Sequence, residues 1–374
     1  MVFRSQKWTM KSHNSQISTC GKQPNSHLEK SLGTGSVKIP ELDALRGLGS
    51  IAILAWHLWP SKFFYGWSRV DLFFVLSGYL ITSSILRYGW SRGFFLTFWA
   101  RRALRIWPTY YLLLGALCAI TVSKGDSVPI EGLLTHIAFI QYATYYWSES
   151  VPEFLPGASQ TWSLAIEEQY YIVWPLIVVL AGRSLLVPIA LCLIANSVAF
   201  RSAGLNPVVT LARCDGLALG AILASLGTDC EQTYRSRRVN LALAVSGIVS
   251  VLWLFCFTGT QTGRAIEAHQ RGSMHVLIVN IVFFSLIGLI VLNTGHRILW
   301  PLRLQPLAYL GKISYGIFLY HLLIFETVTN YVGARTLSSD FSVVILSVLV
   351  AALSWELCEK RILAFKRLLP YCSE

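Results

Sequence analysis

The sequence is poor in charge: 13% of its 374 residues are Asp, Glu, Lys or Arg, against 54% that are hydrophobic. That ratio leaves more apolar area than the interior of one soluble domain can hide, which excludes an ordinary water-soluble protein. Acidic residues are the scarcer kind, 19 against 31 basic, for a net charge of +12. The basic residues sit in short stretches between apolar blocks rather than in one patch, so they read as membrane-topology signals and not as a nucleic-acid surface. The eight cysteines show no paired metal spacing and lie mostly in or beside apolar blocks, so neither a zinc site nor a disulfide framework is expected. Residues 1–38 lack an apolar core of the secretory-signal kind and are expected to form a polar, disordered cytosolic tail. The blocks also lack the alternation of barrel strands and any internal repeat of the transporter type.

What is present is a series of apolar blocks of roughly 16 to 24 residues, the length that crosses a hydrocarbon layer of about 30 Å as helix. They fall at 42–59, 70–88, 107–122, 162–181, 185–200, 211–226, 240–257, 274–293, 307–328 and 341–363. The expected fold is therefore all-α, a polytopic membrane bundle of about ten transmembrane helices over 39–365, followed by a short cytosolic tail, 366–374. An eleventh block, 132–147, carries His136, Gln141 and several Tyr. Placing it on the outer side or as a re-entrant segment puts Arg183, Arg235, Arg237, Arg238, Arg297, Arg303, Lys360, Arg361, Lys366 and Arg367 inside. Only Arg201, Arg213, Arg264, Arg271 and Arg335 then lie outside, as the positive-inside rule requires, and both termini become cytosolic.

Several polar residues interrupt these spans. Arg46 and His57 in the first span are eleven residues apart, about 16 Å along one helix face, and an intramembrane Arg is costly unless it faces a polar interior. In the second, Arg69 and Asp71 form a natural local pair, and Ser77-Gly78 allows close helix packing. Arg101, Arg102 and Arg105 occupy about one turn, where they either anchor the helix at the inner face or grip the phosphates of a nucleotide-bearing donor. Glu167 and Glu168 lie inside the fourth span, where a carboxylate is a functional candidate by default. A carboxylate there and His57 are expected near enough to pair, the carboxylate raising the basicity of the imidazole. Arg213 with Asp215, and Ser314, Tyr315, His321 and Glu326, are further polar insertions, each by itself a structural pair or interfacial group.

Taken in order, Arg46-x10-His57, VDLFFVLSGYLI from Val70, RRALRIWPTY from Arg101, WSLAIEEQYY from Trp162, RCDGLALGAIL from Arg213 and ISYGIFLYH from Ile313 resemble the acyltransferase 3 family. These are integral-membrane acyltransferases of surface-saccharide modification, and the resemblance covers about 39–363. It implies a bundle of about ten helices that uses acyl-CoA, usually acetyl-CoA, to O-acylate a sugar or related acceptor, with no metal. It carries the family's essential histidine onto His57, its partner arginine onto Arg46, its Arg-x-x-Arg element onto Arg102 and Arg105, and its glutamate onto Glu167 or Glu168, with Glu167 preferred. Asp71, Ser77, Glu168, Arg213, Asp215 and His321 remain substrate or structural candidates. Some members carry a soluble domain after the bundle; this chain is expected to complete transfer itself or hand over to another protein. The expected setting is the plasma membrane, and the expected acceptor a saccharide or lipid-linked saccharide. Competing readings are a transporter or flippase of a sugar-lipid, whose buried His, Arg and Glu relay protons, and an acyltransferase acting on a lipid or secondary metabolite.

Overall fold

The computed structural model describes residues 39–142, 157–229, 237–258, 272–333 and 335–371. The tail expected over 1–38 and the aromatics Tyr145, Tyr146 and Trp147 lie outside the described residues. All of the regular structure described is helical. In chain order the helices are α1 (Pro40–Leu58), α2 (Arg69–Tyr88), α3 (Phe94–Ser123), α4 (Ile130–Ile137), α5 (Trp162–Ser202), α6 (Asp215–Asp229), α7 (Arg237–Thr258), α8 (Ser273–Leu292), α9 (Gln305–Val332), α10 (Leu337–Ser354) and α11 (Lys360–Ala364). Short 3-10 turns lead into α2 (Phe64–Ser68) and α5 (Ser159–Thr161), and a π turn (Trp355–Glu359) joins α10 to α11.

Seven helical stretches among the described residues are long and apolar enough to cross a membrane, those containing α2, α3, α5, α7, α8, α9 and α10. The surface confirms the solvent they meet: Leu180, Phe255, Leu252 and Ile345 are exposed, while Asp71, Asp215, His321 and Asn280 are buried. This inversion of the water-soluble pattern identifies a multi-pass membrane bundle. At 41 residues α5 would run about 62 Å if straight, twice the hydrocarbon thickness. It breaks at Gly182, whose φ of 74° is a left-handed conformation that glycine adopts without strain. The two arms match the expected blocks 162–181 and 185–200. The count of ten is reached only by taking these arms separately and adding the shorter α6 and the charged α1. Of the doubtful block 132–147, the described part is the eight-residue α4 and a turn with Phe139 at φ 55°, so no continuous span starts there.

Local chemistry sets the helix ends. Pro40 opens α1 with Glu41 and Asp43 in the first turn, where carboxylates complement the positive end of the helix dipole. Thr336 and Ser339 form a reciprocal capping box on α10, and Gly333, at φ 70°, closes α9.

Two glycine crossings hold the interior. Cβ atoms placed on Gly78 of α2 and Gly220 of α6 would lie 2.0 Å from the Leu217 carbonyl oxygen and 2.1 Å from that of Val75, so these two backbones touch. On the other side Gly47 of α1 and Gly311 of α9 meet in the same way, a Cβ on Gly311 falling 2.2 Å from the Asp43 carbonyl oxygen. Small residues allow such approach in a medium where apolar side chains gain little by leaving lipid.

Candidate active site

Helices α1, α2, α3, α5 and α9 surround two adjoining cavities. The first, of about 90 Å³, is lined by Arg46 from α1, Ser77 from α2, Arg102 and Arg105 from α3, Glu167 and Tyr171 from α5, and Ser314 and Tyr315 from α9. The second, of about 340 Å³, is lined by His57 and Trp56 from α1, Trp67, Tyr142, Gln160, Trp162 and Arg213. Val70 and Phe318 line both. The helices read consistently from one to the other: Arg46 to His57 on α1, Ser77 back to Val70 on α2, Ser314 through Phe318 to Leu322 on α9.

The first cavity is cationic. Arg46 is held by Asp43, 3.0 Å away on its own helix, leaving the rest of the guanidinium to the cavity. Arg102 lies over the rings of Phe98 and Tyr171, at 5.5 and 5.4 Å, and is thus aimed by aromatic faces rather than neutralised by a carboxylate. Arg105 contributes a third guanidinium to the lining. Glu167 is the carboxylate that faces them; it accepts from the Ser77 hydroxyl at 2.9 Å and the Tyr171 hydroxyl at 2.8 Å. With three guanidiniums against one lining carboxylate, the cavity favours an anion, and guanidinium geometry suits phosphate. A volume of 90 Å³ is far below the roughly 300–1,000 Å³ that encloses a whole drug-sized ligand, so only a slender part of a nucleotide-bearing molecule fits within it.

In the second cavity His57 Nδ1 lies 3.0 Å from the Ile53 carbonyl oxygen. A carbonyl only accepts, so the neutral ring carries its proton on Nδ1 and presents the Nε2 lone pair. Trp56 packs edge-on at 4.5 Å between ring centroids, and His321 of α9 approaches at 4.8 Å. His321 repeats the arrangement, its Nδ1 2.8 Å from the Phe318 carbonyl oxygen.

The expected site residues therefore divide. Arg46, Arg102, Arg105, Ser77 and Glu167 converge on the first cavity; His57 and Arg213 line the second, with His321 against His57. Glu167 is taken up by Ser77 and Tyr171, so the arrangement expected between His57 and a carboxylate gives way to a His57–His321 contact. Glu168 points away from Glu167 and accepts from Trp107 Nε1 at 3.1 Å. Arg101 is turned from the cavity: it donates to the Leu369 carbonyl at 2.8 Å and lies over the Tyr371 ring at 4.9 Å. Both local Arg–Asp pairs exchange partners. Arg213, two residues before α6, reaches Asp71 of α2 at 2.8 Å, Arg201 reaches Asp215 at 2.7 Å, and Arg69 stacks over Phe283 at 5.1 Å. Arg69 and Asp71 are two apart on α2 and so face away from each other, while Arg213 lies in the non-helical link just before α6. Tyr171 and Phe318 were not singled out by sequence; their nearest signal is a one-turn spacing from Glu167 and from His321.

Partly buried guanidiniums at one cavity and an oriented imidazole at the next, in a lipid-exposed helical frame, define a membrane protein with a polar intramembrane site. The family model of the acyltransferase domain, acyltransferase 3, matches residues 39–356, and the chain belongs to that family. The chain is 28% identical over 313 residues to a peptidoglycan O-acetyltransferase, OatA, of Listeria monocytogenes, covering 76% of this chain and 49% of that protein. It is 28% identical over 351 residues to the O-acetyltransferase OatA of Staphylococcus aureus, covering 86% and 56%. The chain thus spans about half the length of the curated relatives it matches. No solved structure matches it.

Proposed function

We propose that this protein is a membrane-embedded O-acyltransferase that moves an acyl group, acetyl by preference, from acyl-CoA to a hydroxyl of a cell-envelope saccharide. The carrying observation is the juxtaposition of the cationic cavity with the His57 cavity along one set of helices. Arg46, Arg102 and Arg105 hold the donor through its phosphates and orient its arm, and Glu167 fixes the Ser77 and Tyr171 hydroxyls in that wall. His57 Nε2 removes the acceptor hydroxyl proton as the oxygen attacks the thioester carbonyl carbon. The C–O bond forms, the C–S bond breaks, and the departing thiolate takes the proton back from the imidazolium. The peptidoglycan acceptor in the name of the Listeria relative supports a saccharide as the acceptor class. The working orientation has both termini in the cytosol and the plasma membrane as host, which puts the arginines towards the donor pool.

The test is transfer of radiolabelled acetyl from acetyl-CoA to cell-wall saccharide by purified full-length protein. Loss of a general base costs about 10²- to 10⁴-fold, so His57→Ala should fall by that factor with acetyl-CoA binding retained. A His57→Ala enzyme working at the full rate refutes the assignment, and saccharide movement across vesicles without CoA release would replace it with sugar-lipid transport.

A further inference from the structure

The two cavities share two lining side chains. Val70, one residue into α2, and Phe318, on the α9 face between Tyr315 and Leu322, are the residues that line both. On the proposed function the donor phosphates sit with Arg46 while the thioester must reach His57, about 16 Å further along α1 at 1.5 Å per residue. The acyl group therefore passes Val70 and Phe318 and comes to rest against them where they wall the His57 cavity.

We infer that Val70 and Phe318 form an apolar selector that sets the size of the acyl group this protein transfers. This rests on the acyltransferase reading given above. Both side chains are apolar, so they desolvate an acyl chain without competing for its carbonyl. Phe318 is also fixed from behind: its carbonyl is 2.8 Å from His321 Nδ1, its ring lies 6.2 Å from the His321 ring, and His321 in turn packs on His57. The wall that would limit acyl size is thus tied to the imidazole that performs the transfer. Opposite it, Val70 is one residue from Asp71, which the Arg213 bridge holds at 2.8 Å. The backbone of both walls is thus anchored beside a buried polar contact.

Thiol release from acetyl-, butyryl- and hexanoyl-CoA, measured with purified full chain and a cell-wall saccharide acceptor, decides it. One methylene more or less in an apolar pocket is worth about tenfold or more, so the wild type should favour acetyl over butyryl by at least that factor. Phe318→Ala should raise the butyryl-to-acetyl ratio of kcat/KM by about tenfold or more. Val70→Ala, from the other wall and with a smaller change of volume, should move the ratio in the same direction. Val70→Leu should lower it. A wild type that uses butyryl-CoA as well as acetyl-CoA overturns the selector, as do Phe318→Ala or Val70→Ala proteins that transfer acetyl with the wild-type ratio. Absence of transfer from every thioester by the wild type would strike instead at the acyltransferase reading, and the selector would fall with it.

Discussion

One substitution, glycine to alanine, should have opposite signs at two positions of this bundle. At Gly78 the added Cβ would lie 2.0 Å from the Leu217 carbonyl oxygen, where ordinary contact begins near 3.4 Å. Backbone blocks the way on the α6 side, so α2 and α6 must part by roughly 1.4 Å, an overpacking strain of about 1–3 kcal/mol. The gain in helix propensity returns at most about 1 kcal/mol. Ser77 is the neighbouring residue, and a displacement of α2 by that amount disturbs its 2.9 Å bond to Glu167. At Gly115 of α3 the new methyl meets no described atom within 4 Å, so alanine there should stabilise by about 0.5–1 kcal/mol. Unfolding midpoints of the two variants in the same detergent should bracket the wild type, and acetyl transfer should fall in Gly78→Ala while persisting in Gly115→Ala. Equal midpoints for Gly78→Ala and wild type would refute the backbone contact and with it the placement of Ser77.

Three other outcomes follow from the same geometry. Asp71→Ala leaves Arg213 buried without its carboxylate and should cost about 3–5 kcal/mol, whereas Asp71→Leu combined with Arg213→Met should recover much of that loss in a double-mutant unfolding series. Arg102→Ala and Arg105→Ala should raise the KM for acetyl-CoA by about tenfold or more each, because each removes a charge-assisted contact worth about 1.5–3 kcal/mol. Arg101→Ala should instead lower thermal stability with little change in that KM, since its partners are carbonyls and the Tyr371 ring; a large KM effect would contradict its observed orientation.

Much of this was legible in the linear chain. Apolar length alone marks the spans, including the two arms of α5, because a helix must satisfy its own backbone in lipid and so keeps a fixed length. Arg46 and the carboxylate at 167 stood out because an intramembrane charge demands a reason, and Arg101, Arg102 and Arg105 because three guanidiniums on one turn suit either an inner-face anchor or a phosphate. Partnership was not legible. Arg213 with Asp71 joins residues 142 apart in the chain, and Arg201 with Asp215 spans the link from α5 to α6. Helical periodicity states which face a residue occupies and says nothing about the helix opposite. His57 meets His321 only because Gly47 and Gly311 let α1 and α9 touch, and a glycine's role as a contact point appears only once its neighbour is placed.

The glycine crossings also divide the molecule mechanically. A pair of helices whose backbones touch slides only by breaking that touch, so α2 with α6 and α1 with α9 behave as two riveted plates, and His57, Ser77 and Phe318 all ride on them. Helix α3 has no such rivet. Its ties are side chains, among them Arg101 to the Leu369 carbonyl, Trp99 to the Tyr171 carbonyl, Trp107 to Glu168, Tyr110 to the His136 carbonyl, and Tyr315 reaching the Ile106 carbonyl. Pro108 further removes one of its internal hydrogen bonds, just past Arg105. The element that carries two of the three cavity arginines is thus held by side chains, where the helices that carry His57, Ser77 and Phe318 are held by touching backbones.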